Sequence, residues 1–92
     1  PDPVFAVSDS LAAGALRAID QAGLRVPEDI AVIGFDGTEL AEVVSPQLTT
    51  VEQPSRAIGR TAVDLLMKRI DDPDAAVERV MMDWRVIARA SA

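Results

Sequence analysis

Cysteine and histidine are both absent from the 92 residues. Without cysteine there is no disulfide framework, and without either residue the usual zinc ligand sets and most pairings of a nucleophile with its base fall away. This argues against an enzyme and leaves no metal or cofactor to expect. Basic residues are outnumbered, nine Lys and Arg against fifteen Asp and Glu, for a net charge of −6. They are spread along the chain, so it carries no nucleic-acid footprint of its own. No apolar run is long enough to span a bilayer, and Pro1-Asp2-Pro3 has neither the basic region nor the apolar core of a signal peptide. Repeats, low-complexity tracts and linkers rich in Gly and Ser are missing too.

What is present is a folding composition. The chain is 49% hydrophobic with a mean hydropathy of +0.17, far from the disordered class. A domain this short buries roughly 60 to 65% of its unfolded surface, so a partner that completes the core is expected. The start at Pro1 rather than Met suggests a segment cut from something longer.

The stretch Ile30-Ala31-Val32-Ile33-Gly34-Phe35-Asp36-Gly37 organises the rest. Its unbroken apolar run predicts a parallel strand buried on both faces that delivers Asp36 to its C-terminal end, where open α/β sheets bind ligands. Before it, Val4–Val7 predicts a short strand and Ser8-Asp9-Ser10 a set of N-cap residues for a helix over 11–22. Leu11, Ala15, Ala18 and Ala22 share one face of that helix, widened by Leu16 and Ile19, and Gly23 closes it with Leu24 as the apolar contact. Strand, helix and strand make a βαβ unit with parallel strands, the core of an α/β fold with a short parallel sheet.

Thr38 to Val44 predicts a helical turn ended by Ser45-Pro46, and Leu48 to Val51 a third strand. Pro54 then opens a long helix with Ile58, Ala62, Leu65, Leu66 and Ile70 in an apolar stripe and Arg56, Arg60, Asp64 and Lys68 on the wet side. Arg79 to Asp83 and Arg85 to Ala88 read as two short strands kinked near Trp84, followed by a tail of small residues expected to fray.

In a parallel sheet Ser8, Asp9 and Asp36 project from one edge. N-capping alone accounts for Ser8 and Asp9, with a double role left open. Asp36 is either a turn aspartate or an acceptor of two hydrogen bonds from vicinal hydroxyls. Each such bond is worth about 1.5 to 3 kcal/mol, which suits a sugar-like ligand. Gln53 either bonds a ligand or caps a turn, and Trp84 either packs or stacks on a sugar ring. Phe35-Asp36-Gly37-Thr38 is also similar to the phosphatase motif of the haloacid dehalogenase superfamily, but Gly34 occupies the nucleophile position, so no phosphoenzyme can form.

Three ordered motifs, Val7 to Ala18, Gly23 to Asp36 and Pro46 to Pro54, together resemble the LacI/GalR family of bacterial transcriptional repressors over nearly the whole chain. The resemblance implies the C-terminal part of an effector-binding and dimerisation region with a periplasmic-binding-protein-like, Rossmann-like fold. Residues 1–52 and 78–92 would belong to the C-terminal subdomain, and the helix over 54–72 would pack on an N-terminal subdomain outside the chain. Carried over motif by motif, effector contacts fall on Asp36, Ser8 and, more weakly, Gln53. The dimer surface falls on Leu11, Ala12, Ala13, Leu40, Val44 and Pro46.

The partners implied are a small effector, a carbohydrate or its derivative, and a second copy of the chain. DNA would be touched only through a helix-turn-helix head outside the chain, in the cytoplasm and with no membrane contact. Ser8 stands where Asn is common and Gly37 where a second Asp or Asn is common, which implies a smaller or differently hydroxylated ligand. A periplasmic sugar-binding component of a transporter is the rival reading and an unrelated α/β enzyme fragment a third. By the family's crossover, the stripe on the last helix would face the absent subdomain. The chain taken alone is therefore expected to hide it, by folding the helix back or by exchanging it between two copies.

Overall fold

The structure, a computed structural model, describes residues 2–92. Its elements are β1 (Asp2–Phe5), α1 (Asp9–Gln21), β2 (Ile30–Asp36), α2 (Leu40–Val43), β3 (Thr49–Glu52), α3 (Ser55–Asp71) and β4 (Arg85–Ile87). They fall into two compact units, one holding β1 through Gln53 together with Trp84–Ala92, the other Pro54–Asp83. No helix among the described residues is long and apolar enough to cross a membrane.

In the first unit the strands run β1-β2-β3-β4, parallel between β1, β2 and β3 and antiparallel between β3 and β4. The sheet is thus mixed, where a parallel one was expected. Of the two strands expected near the C-terminus only Arg85–Ile87 forms, because Arg79 to Asp83 lies in a unit that offers no strand to pair with.

Helix α1 begins where Ser8, in extended backbone, accepts the Leu11 N–H on its Oγ at 3.1 Å. It ends in a Schellman motif. Gly23 takes a φ of +74°, its N–H bonds the Asp20 carbonyl at 2.9 Å, and the Leu24 N–H bonds the Ile19 carbonyl at 3.1 Å. The buried face carries Asp9, Ala12, Leu16 and Ile19. The expected stripe is therefore rotated, with Leu11 60% exposed and Ala18 and Ala22 open. The helix turns Ala12 toward Gly34 of β2, where a Cβ would stand 3.4 Å from the Ala12 Cβ and 2.7 Å from Leu48 Cδ2. A larger residue on either side would push helix and sheet apart.

The core gathers Ala12, Leu16 and Ile19 from α1, Val32 from β2, Ala41 from α2, and Leu48. Helices α1 and α2 therefore cover the same face of the sheet. On the opposite face Ile33 and Phe35 are only half-buried, so β2 is not covered on both sides as its apolar run suggested. Phe5 meets Phe35 there edge to face, ring centres 6.4 Å apart.

The C-terminal tail does not fray. Ser91 is fully buried, its Oγ accepting the Thr49 N–H at 2.8 Å and donating to the Val32 carbonyl at 2.6 Å. Its backbone bonds the Val32 N–H at 2.9 Å and the Gln47 carbonyl at 3.0 Å. The tail thus supplies partners for β2 and β3 before those two strands pair at Ile33 and Thr49.

In the second unit Arg69 donates to the carbonyls of Pro73 at 2.9 Å and Ala75 at 2.7 Å, which turns the chain back along the last turn of α3. No residue of α3 is buried, and Leu66 is 56% exposed. The unit itself provides little of the expected cover for the stripe: Ile58, Ala62, Leu66 and Ile70 are exposed and Leu65 is half-buried. One helix and a short return hold too little apolar surface to supply it.

Two predictions follow from these contacts. Ser91→Ala strands the Thr49 N–H in the interior and should destabilise the fold by about 1 to 3 kcal/mol in urea titration; an unchanged midpoint would contradict the bridging role. In the loop before β2 the Asp29 carboxylate accepts the Arg25 Nε–H at 3.0 Å, the Nη2–H at 2.9 Å and the Arg25 backbone N–H at 2.8 Å. The Arg25 side chain first, and its backbone N–H second, lower Asp29 from 3.8 to about 2. The folded value lies below the unfolded one, so this contribution is complete above the unfolded value and disappears as pH falls from about 4 to about 2. Denaturation midpoints of Asp29→Asn should then fall less steeply than wild type across that window, and parallel curves would refute the assignment.

Candidate functional site

Because β1, β2 and β3 run parallel, their C-terminal ends share one edge. Ser8 lies beyond the end of β1, Asp36 closes β2, and Gln53 follows β3. Asp36 and Gln53 are brought together twice: Gln53 Nε2 donates to Asp36 Oδ1 at 2.9 Å, and the Gln53 N–H bonds the Asp36 carbonyl at 3.1 Å. Ser8 gives its Oγ lone pair to the start of α1, and the hydroxyl proton is still able to donate.

The backbone at this edge is strained. Asp36 has a φ of +117°, a region that a residue with a side chain enters at a cost of about 1 to 3 kcal/mol. Gly37 follows at +76°, and a Cβ there would lie 2.7 Å from the Glu52 Cα. In this conformation only glycine fits at Gly37, so its departure from Asp or Asn has a backbone cause as well as any effect on a ligand. Glu52 itself reaches outward to Arg85 in an exposed ion pair of 3.0 Å.

Asp9 departs most from the sequence reading. Ser8 alone caps α1, and Asp9 is turned inward with 0% exposure. Its Oδ2 accepts the Thr38 N–H at 2.6 Å and the Thr38 Oγ–H at 2.8 Å, and its Oδ1 accepts the Thr50 Oγ–H at 2.6 Å. The approach depends on Gly34, whose Cβ would stand 2.5 Å from Asp9 Oδ1. A signal for this was present: Asp9, Ala12, Leu16 and Ile19 follow i, i+3, i+7 and i+10, which places the carboxyl in phase with the buried stripe.

Of the expected dimer surface, Leu11 is exposed and Ala13, Leu40, Val44 and Pro46 are half-buried, with Val43 exposed beside them. Ala12 is fully buried in the chain's own core and cannot serve that surface. Trp84 is 64% exposed and does not pack in the core.

Chemically, the edge offers a carboxylate, a side-chain amide and a hydroxyl. These groups bind polyhydroxylated molecules well.

Comparison with known proteins agrees with this fold. A family model described as periplasmic binding protein-like domain matches residues 1–92. The HTH-type transcriptional repressor PurR of Aliivibrio fischeri (strain MJ11) is 46% identical over 91 residues, 99% of this chain and 27% of that protein. The structure of a transcriptional regulator CelR-cellobiose complex superposes with a TM-score of 0.91 at 38% identity, over 99% of this chain and 28% of the other. The lac repressor dimer bound to operator and the anti-inducer ONPF superposes with a TM-score of 0.85 at 35% identity, over 99% and 32%. The chain thus spans about a quarter of the length of the curated relatives it matches. It belongs to the periplasmic binding protein-like domain family, as a portion of the effector-binding domain of LacI-type transcriptional regulators.

Proposed function

We propose that the chain is the ligand-sensing and dimerising portion of a repressor. A small carbohydrate or derivative binds at the strand-end edge and changes DNA affinity at a separate head. The observation that carries this reading is Asp36: a carboxylate on a strained backbone, held against Gln53 where parallel strands end. Ionised acceptors suit vicinal hydroxyls, and the cellobiose complex of a regulator with this fold supports a sugar. Ser8 contributes a hydroxyl from the start of α1.

Residues 1–52 and 78–92 serve one subdomain, and the stripe on α3 packs against a second subdomain from sequence outside the chain. The repressor names of the relatives favour regulation in the cytoplasm over a transporter component. The site binds and does not catalyse. Leu11, Ala13, Leu40, Val44 and Pro46 form a two-fold contact with a second copy, a reading supported by the dimeric lac repressor.

Two experiments on the full-length protein test this. A panel of pentoses, hexoses and disaccharides that includes cellobiose identifies a binder by calorimetry. Asp36→Ala should then lose about 1.5 kcal/mol or more, roughly tenfold in affinity, while operator binding without ligand is retained. Unchanged saccharide affinity would remove Asp36 from the site. Separately, Ala13→Asp places a charge in a close apolar contact and should weaken the dimer, and with it binding to a palindromic operator. Sedimentation showing full dimer for that variant would count against the surface.

A further inference from the structure

The three candidate contacts sit on three separate segments, and one buried side chain is bonded next to each of them. Asp9 follows Ser8 directly in the chain. Its Oδ2 holds the N–H and hydroxyl of Thr38, two residues beyond Asp36, and its Oδ1 holds the hydroxyl of Thr50, three residues before Gln53. We propose that Asp9 is a positioning residue for ligand binding: its carboxyl clamps the far side of the strained Asp36-Gly37 pair and keeps the Asp36 side chain turned toward Gln53.

The geometry gives the clamp a specific task. Asp36 and Gly37 both hold positive φ, and such a conformation persists only when the chain on either side is fixed. On the near side it is fixed by the parallel register of β2 on β3, in which Asp36 faces Glu52, and by the Gln53 N–H on the Asp36 carbonyl at 3.1 Å. On the far side the chain reaches Thr38, an exposed residue whose N–H bonds no other residue than Asp9. Release of that bond frees Gly37 to rotate and Asp36 to relax to negative φ, which swings the carboxylate away from Gln53. Asp9 touches no ligand in this scheme. It acts through Thr38 on Asp36, and through α1 on Ser8.

The chemistry of the three bonds predicts which substitutions are tolerated. Thr38 N–H can only donate, so the clamp requires an acceptor at Oδ2, whereas the Thr50 hydroxyl can donate or accept. Asn at position 9 satisfies both if its carbonyl faces Thr38 and its amide faces Thr50. Asp9→Asn should therefore largely preserve the loop, while Asp9→Ala removes the clamp. Thr38→Val removes one of the two bonds to Oδ2 at an exposed position, so the fold survives it.

The test uses the full-length protein with two readouts, and the ligand arm rests on the site reading given under Proposed function. Amide hydrogen exchange needs no ligand. Gly37 and Thr38 should exchange about tenfold faster or more in Asp9→Ala and several-fold faster in Thr38→Val, near wild type in Asp9→Asn, with the amides of β2 and β3 unchanged in Thr38→Val. Affinity for the saccharide selected by the panel should fall in the same order. Exchange at Gly37 and Thr38 unaltered in Thr38→Val, or raised no more than in the rest of the sheet in Asp9→Ala, would overturn the positioning role whatever the fate of Asp36→Ala. Faster exchange at Gly37 and Thr38 with saccharide affinity intact would overturn its link to binding. Should Asp9→Ala fail to fold, Thr38→Val and Asp9→Asn decide both points.

Discussion

A carboxyl group with no solvent exposure, accepting three hydrogen bonds from two threonines, is the interaction on which the first unit depends. Burying such a group without partners costs several kcal/mol, so its surroundings must supply donors from every segment that encloses it. Here they come from the loop after β2 and from β3, and the carboxyl itself comes from the first turn of α1. The absent side chain of Gly34 makes the space. A single polar cluster therefore sets the height of the helix over the sheet and the path of the loop beyond Asp36.

At the opposite end of the same strands Ser91 performs a similar task with a hydroxyl. It gives β2 and β3 hydrogen bonds where those strands have not yet met, and it brings the C-terminus into the interior. Between Asp9 at one end and Ser91 at the other, the small apolar core of Ala12, Leu16, Ile19, Val32, Ala41 and Leu48 is held in a fixed register. The unit relies on satisfied polar bridges because its length limits the apolar surface it can bury.

The order of strands and helices through α3 was legible in the sequence, since the run of Ile30 to Phe35, the caps at Ser8 and Gly23, and Pro54 each have a direct local cause. The Asp36 and Gln53 pairing was legible only as two residues at one edge; their hydrogen bond depends on the β2–β3 register. Asp9 was misread because a carboxyl before a helix has an ordinary explanation in capping, and only its phase with Leu16 and Ile19 pointed inward. Ser91 could not be read, because a small polar residue near a terminus looks the same whether it is wet or buried between strands. The face of α1 was displaced by one step because alanines carry little phase information, and the close approach at Gly34, which no helical pattern encodes, decided the matter.

The account rests on Asp36 as the ligand's carboxylate and on Asp9 as the group that keeps it in place. A crystal structure of the full-length protein with its saccharide bound examines both in one measurement. The account predicts an Asp36 oxygen within about 2.6 to 3.2 Å of ligand hydroxyls, positive φ retained at Asp36 and Gly37, and the Thr38 N–H still on Asp9. A ligand seated away from the ends of β1, β2 and β3, with the Asp36 carboxylate touching none of its hydroxyls, would contradict it.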